Sequence, residues 1–157
     1  MPLIKTIVFT VLVPGSVGIW VPLLLVATGM GLPYDIGNFR FLGFVLIVPG
    51  TTFYLLCAWD FVFTGKGTPI PIDPPKNLVR RRLYRLNRNP MYTGGYLAIV
   101  GESILLMSWT LFIYAFAVWL YFHLFVVLYE EPHLKRIFGT AYEEYCKAVP
   151  RWVPRWR

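Results

Sequence analysis

The sequence predicts an all-α, polytopic membrane protein with about four transmembrane helices and short cytosolic amphipathic helices. Three observations carry that reading. Of 157 residues, 57% are hydrophobic and only 15% are charged, more apolar surface than a soluble domain of this size can hide. The apolar residues fall into runs long enough to cross a bilayer core of about 30 Å. The cations cluster: seven of fifteen Lys and Arg lie between Lys66 and Arg88, and six follow Glu131. Both clusters flank apolar runs, which is the positive-inside pattern. That placement accounts for the net charge of +7 and argues against nucleic acid as a partner. The length suggests a single domain, residues 1–157.

Ile4 to Met30 is the first expected span, with Lys5 its only charge. A signal peptide competes for this stretch. Pro14, Gly15 and Pro22 interrupt it and no clean small-x-small cleavage site follows, so a retained, kinked helix is the expectation. The loop 31–38 carries Asp35 and no base, which fits the outer side. Phe39 to Phe63 is the second span. Arg40 can snorkel from its outer end, and Asp60, near its inner end, reads as an interfacial acid pairing with a nearby base. Cys57 falls in this span and Cys146 in a basic tail; neither spacing suggests a metal site, and no disulfide is expected.

Residues 64–89 form the one long polar stretch. It opens with Gly65-Lys66-Gly67, which by itself reads as an ordinary flexible turn. Four prolines at 69, 71, 74 and 75 then stiffen the chain. Lys76 to Leu86 reads as a short amphipathic helix, with Val79, Leu83 and Leu86 on one face and four arginines on the rest, suited to the headgroup layer.

Met91 to Leu128 is an apolar run of 38 residues, about 57 Å as a helix, too long for one straight span. Two spans joined at Met107-Ser108-Trp109-Thr110 accommodate it, because polar atoms and an interfacial Trp coincide there. Such a hairpin returns the chain to its starting side. Asn89-Pro90-Met91-Tyr92 and Glu130-Glu131 are therefore expected at one membrane face. Pro90 pre-sets φ at the helix start, and Gly94-Gly95 allows close approach of a backbone or a ligand. Glu102 lies about 18 Å along the helix from Pro90; an intramembrane acid is a functional candidate, with an interfacial or polar-paired role as the alternative. His123 reads as a hydrogen-bonded histidine without metal partners. Pro132 places Glu130 and Glu131 at a helix break, and Glu131 stands four residues before Lys135, the spacing of a surface ion pair. Thr140-Ala141-Tyr142-Glu143 has the form of a capping box. The tail, residues 151–157, mixes cations and indoles and is expected to lie on anionic headgroups.

The motifs Asn89-Pro90-Met91-Tyr92-x-Gly94 and Leu128-Tyr129-Glu130-Glu131-Pro132 resemble the integral-membrane methyltransferases that act on phospholipid amines. Glu130, Glu131, Leu134, Phe138, Gly139, Tyr142, Tyr145, Val149 and Pro150 are similar in spacing to the isoprenylcysteine carboxyl methyltransferases. The resemblance covers roughly residues 65–154 and implies a cofactor-binding core of about 64–154, S-adenosylmethionine as methyl donor and a lipophilic acceptor: isoprenylcysteine carboxylate-like or phospholipid amine-like. It implies cofactor contacts from Gly65, Gly67, Asn89, Pro90, Tyr92, Gly94, Glu130, Glu131, Tyr142 and Tyr145. Many relatives carry His where this chain has Asn89, so a titrating role at that position does not transfer. The catalytic group is left open, with Asn89 and Glu102 as candidates. Two other readings stand beside it: a non-enzymatic membrane module, and a sterol-reductase-like enzyme using NADPH. The charge asymmetry places both termini and the 64–89 loop in the cytosol.

Overall fold

A computed structural model describes residues 2–65 and 77–153. Lys66, Gly67, the proline-rich stretch, Lys76 and residues 154–157 lie outside the described residues. Among the described residues the regular elements are helices, with one isolated β-bridge, Pro33 to Ser108. The helices are α1 (Pro2–Leu12), α2 (Val21–Ala27), α3 (Phe44–Phe63), α4 (Pro90–Leu105), α5 (Trp109–Phe125), α6 (Glu131–Phe138) and α7 (Thr140–Ala148). Among the described residues, three continuous stretches are long and apolar enough to cross a membrane: Leu3–Ala27, Gly37–Phe63 and Trp109–Phe138. The chain is a multi-pass integral membrane protein. Helix α4 has 16 residues, about 24 Å, and packs along α3.

Pro49 lies within α3, whereas Pro22 and Pro132 are each met by a widened turn. A π turn, Ser16–Trp20, precedes Pro22 at the start of α2, and another, Val126–Glu130, precedes Pro132 at the start of α6. Proline lacks an N–H and its ring crowds the carbonyl four residues back. For Pro22 that carbonyl belongs to Gly18 and for Pro132 to Leu128, both inside the π turn. Widening the turn by one residue relieves the crowding without ending the helix. The expected break at Glu130-Glu131 is therefore a change of register within one continuous helix.

Helices α3 and α4 approach through paired glycines. A Cβ added to Gly50 would lie 2.6 Å from the Gly94 carbonyl, and one added to Gly94 would lie 2.6 Å from the Gly50 carbonyl. Gly43 and Gly101 repeat the arrangement seven residues along each helix. Without a hydrophobic drive between helices in lipid, such backbone proximity supplies the packing.

The turn between α4 and α5 falls where the sequence suggests it, at residues 106–108, with Met107 in the left-handed region (φ 49°). The loop after α2 zips onto it: Tyr34 N donates to Met107 O at 3.0 Å, Trp109 N to Leu32 O at 2.9 Å, and the Thr110 hydroxyl to Met30 O at 2.6 Å. Both loops thus occupy one end of the bundle, and the polar motifs occupy the other.

Two local expectations are corrected. Residues 77–81 are not helical, and only one 3-10 turn forms, Arg82–Arg85. Val79 and Tyr84 are buried while Leu86 is exposed, so tertiary anchoring overrides the amphipathic pattern. Thr140 is the first residue of α7 rather than its cap; Gly139, at φ 53°, takes the cap position without a side-chain bond, and its carbonyl accepts from Tyr142 N and Glu143 N. Glu143 instead pairs with Lys135 at 2.7 Å. Of the tail, Arg151 and Trp152 bond to Glu131 and His123, and Val153 is exposed.

Candidate functional site

The hairpin brings its two ends together as the sequence suggests. The Tyr92 hydroxyl donates to Glu130 Oε2 at 2.8 Å across 38 residues, and the Tyr92 ring packs on Phe122 with centroids 4.8 Å apart. Glu131, one residue on, points elsewhere. Arg151 grips it with both arms of its fork, Nε to Oε1 at 2.7 Å and Nη2 to Oε2 at 2.9 Å. Arg88 Nη1 adds a third contact at 3.1 Å from Oε1. The paired carboxylate holds the Arg151 guanidinium further above its ordinary pKa, chiefly through these hydrogen bonds. The Glu131–Lys135 surface pair suggested by spacing is not formed.

Two guanidiniums against one carboxylate leave a surplus positive charge. Arg88 Nε, moreover, is buried without a hydrogen-bond acceptor among the described residues. An unmet buried donor of this kind costs free energy unless an acceptor arrives. One side of the cluster is thus set to receive an anion, while Glu130 supplies negative charge beside it.

Residues 150–152 run as a strap across this cluster. Val149 is extended (φ −122°, ψ 127°). Arg88 N donates to Pro150 O at 2.9 Å, the Asn89 side-chain amide donates to Arg151 O at 3.1 Å, and Trp152 Nε1 donates to His123 Nδ1 at 3.1 Å. Asn89, 7% exposed, also donates its backbone N–H to Asn87 Oδ1 at 3.0 Å. His123 is held by hydrogen bonding, as expected.

The other candidates are placed as follows. Pro90 is the buried first residue of α4, and Gly94 lies against α3. Tyr142 and Tyr145 are 5% and 6% exposed. The Tyr145 hydroxyl donates to Tyr84 O at 2.7 Å, and burial pushes both phenols up in pKa. Tyr145 is therefore committed to the protein, with Arg80 over its ring at 5.8 Å. Gly65 closes the end of α3, its N–H on Asp60 O. Asp60 pairs with Arg82 at 3.5 Å, the interfacial role expected of it. Glu102 lies in the last turn of α4, at the far end from Tyr92, with Oε2 buried and lacking a partner among the described residues.

Arg88, Arg151 and Trp152 are the residues that sequence reasoning missed. Their signal was adjacency: Arg88 directly precedes Asn89-Pro90, and Arg151 directly follows Pro150. Arg88 was read as topological charge, and Arg151 and Trp152 as part of a tail lying on anionic headgroups.

Residues 38–141 match the family described as phospholipid methyltransferase. Over 78 residues the chain is 36% identical to protein-S-isoprenylcysteine O-methyltransferase B of Arabidopsis thaliana, covering 49% of this chain and 39% of that protein. It is 31% identical over 78 residues to protein-S-isoprenylcysteine O-methyltransferase of Schizosaccharomyces pombe, 49% of this chain and 33% of that protein. A probable protein-S-isoprenylcysteine O-methyltransferase of Oryza sativa subsp. indica is 30% identical over 86 residues, 54% of this chain and 44% of that protein. The matched stretch thus spans less than half the length of each of these relatives. The family match takes in Arg88, Asn89, Tyr92, Glu130 and Glu131, the side chains that the hairpin gathers at one end of the bundle, and on that match the chain belongs to the phospholipid methyltransferase family.

Proposed function

We propose that this chain is a membrane-embedded methyltransferase that takes S-adenosylmethionine at the cytosolic face and methylates a lipophilic acceptor entering from the bilayer. The observation that carries the reading is the 2.8 Å bond from Tyr92 to Glu130, which joins the two motifs in one polar site at the end of an apolar bundle. The residues fit the cofactor. Its amino-acid carboxylate matches the surplus charge of Arg88 and Arg151 and the unmet Arg88 Nε. Its cationic groups match Glu130, which Tyr92 orients. When bound, S-adenosylmethionine supplies a methyl group activated by a sulfonium.

The chain's own work is to bind, align and exclude water; displacement in a dry, aligned pocket needs little else. Asn89 cannot titrate, and its amide holds the strap. Glu102 lies at the other end of α4. A carboxylate acceptor already carries its nucleophile, whereas an amine must first lose a proton. The site therefore suits an isoprenylcysteine-like carboxylate better than a phospholipid amine, in line with the names of the relatives. We place the cofactor-binding core at residues 64–154, within a single domain, and both termini and the 64–89 loop in the cytosol.

Calorimetry on the detergent-solubilised chain tests the reading. Heat from S-adenosylmethionine and from its demethylated product, with none from NADPH, supports it. Binding of NADPH alone returns the reductase alternative, and binding of none returns the non-enzymatic module.

A further inference from the structure

Arg151 and Trp152 are neighbours in sequence yet grip the α5–α6 helix at two levels. Arg151 holds Glu131; Trp152 holds His123, eight residues earlier and about 12 Å deeper along the helix axis. The chain bends at Arg151 and Trp152, and the two side chains reach the helix at different levels. The indole also joins an aromatic ladder: Trp119 stacks on His123 with centroids 5.4 Å apart, and Trp152 follows at 6.0 Å. His123 Nδ1 accepts the indole N–H. None of these contacts touches the Tyr92–Glu130 pair, and Trp152 lies beyond the residues matched to the family.

We infer that Trp152 and His123 are a positioning pair: their hydrogen bond pins the C-terminal strap so that the Arg151 fork stays on Glu131, and so sets the anion-receiving half of the cofactor site. The inference rests on the methyltransferase reading and adds the group that holds its guanidinium in place. The physical need is clear. Arg151 stands beyond α7, and its long side chain loses rotamer freedom when fixed. The strap has three other anchors: Pro150 O and Arg151 O, both bonded to the α4 side, and the Arg151 fork itself on Glu131. Trp152 is the strap's anchor deeper on the α5 side, and without it the strap is tied only through Arg88, Asn89 and the Arg151 fork itself. The fork then samples geometries that do not present both guanidiniums together.

The test compares two ligands that differ at the group concerned. S-adenosylmethionine carries the carboxylate; decarboxylated S-adenosylmethionine does not. Calorimetry on the full chain in detergent is done for the parent, Trp152→Phe, His123→Leu and the double variant, with thermal midpoints alongside. Trp152→Phe keeps an aromatic ring and removes the N–H; His123→Leu removes the acceptor. Each is expected to weaken S-adenosylmethionine about tenfold, the loss of about one charge-assisted hydrogen bond, while the decarboxylated ligand changes less than about twofold. The double variant is expected to be no worse than either single one. His123→Gln, which keeps an acceptor, is expected to restore most of the difference. Equal weakening of both ligands marks a general packing role and overturns the inference, as does an unchanged ratio in both single variants. If the parent binds neither ligand, the methyltransferase reading falls and this inference falls with it; if the parent binds and only the ratio fails to move, the pairing alone is wrong.

Discussion

Tyr92 is where one atom links two distant motifs. Its hydroxyl satisfies Glu130 while its ring leans on Phe122. Tyr92→Phe keeps the ring and strips the donor, so Glu130 loses its partner, at a cost of about 1–3 kcal/mol of stability. Tyr92→Ala removes both and is expected to lower S-adenosylmethionine affinity by about 1–3 kcal/mol. Titration, with fold verified by size exclusion, settles it: a folded Tyr92→Ala that binds like the parent overturns the shared pocket. Glu131 and Glu143 offer a second contrast. Both form ion pairs, but Glu131 organises two guanidiniums with its side chain 18% exposed, while Glu143 meets Lys135 at the surface, 44% exposed. Exposed pairs contribute little. Glu131→Gln is therefore expected to weaken cofactor binding by about 1.5–3 kcal/mol, and Glu143→Gln to leave it unchanged. Equal affinities would reduce Glu131 to a structural pair. Asn89→His should be tolerated, provided its ring N–H still reaches the Arg151 carbonyl; loss of binding in that variant would show that the site depends on the amide.

At the scale of helices, glycine spacing decides how closely α3 and α4 approach. Gly94 and Gly50 each face the other's carbonyl, whereas an added Cβ on Gly95 meets nothing within 4 Å. Gly94→Ala is expected to destabilise by about 1–3 kcal/mol through overpacking. Gly95→Ala, on the same helix, is expected to be neutral or to gain up to about 1 kcal/mol from helix propensity. Unfolding of the two variants in detergent, followed by thermal midpoint, checks the difference, and matching shifts would remove the close-packing account. The hairpin of α4 and α5 was legible in the sequence because a 38-residue apolar run has few ways to fit a bilayer and Ser108-Trp109 marks a turn. The role of Gly94 was half legible: its closeness followed from composition, but whether a ligand or a helix would fill the space did not. Patterns over a few residues misled. The arginine-rich stretch before Asn87 has helical periodicity, yet Tyr84 and Val79 are fixed by distant partners. The Thr140 capping box lost to Gly139, whose positive φ ends α6 and starts α7 together. The π turns before Pro22 and Pro132 could not be read at all, since their register depends on how the proline is relieved. The Arg88–Glu131–Arg151 cluster was hidden for a different reason: a cation's pairing partner depends on the return of a strap 20 residues further on.

The whole molecule has two chemically distinct ends. At one, the loop after α2 and the turn before α5 are bonded to each other through Leu32, Tyr34 and Thr110, and loop 31–38 carries Asp35 as its only charge. At the other sit Arg80 to Arg88, Glu130 to Arg136 and the strap. Translocating the second end would carry a cluster of cations across the bilayer, and short basic loops resist that. On the proposed methyltransferase reading, a soluble cofactor bearing a carboxylate and a sulfonium would also reach the second end from water, while an acceptor with a lipid tail would stay in the bilayer. The orientation we propose from these requirements has the arginine-rich end in the cytosol. Cysteine accessibility measures it directly. Cys57 is buried, so a Cys146→Ser background leaves little native reactivity. In intact cells a membrane-impermeant maleimide is expected to label Met30→Cys and not Asn77→Cys. Permeabilisation is expected to expose Asn77→Cys. The reverse pattern would put the polar site on the side away from the cofactor supply, and the cytosolic methyl-transfer reading would fall with the topology.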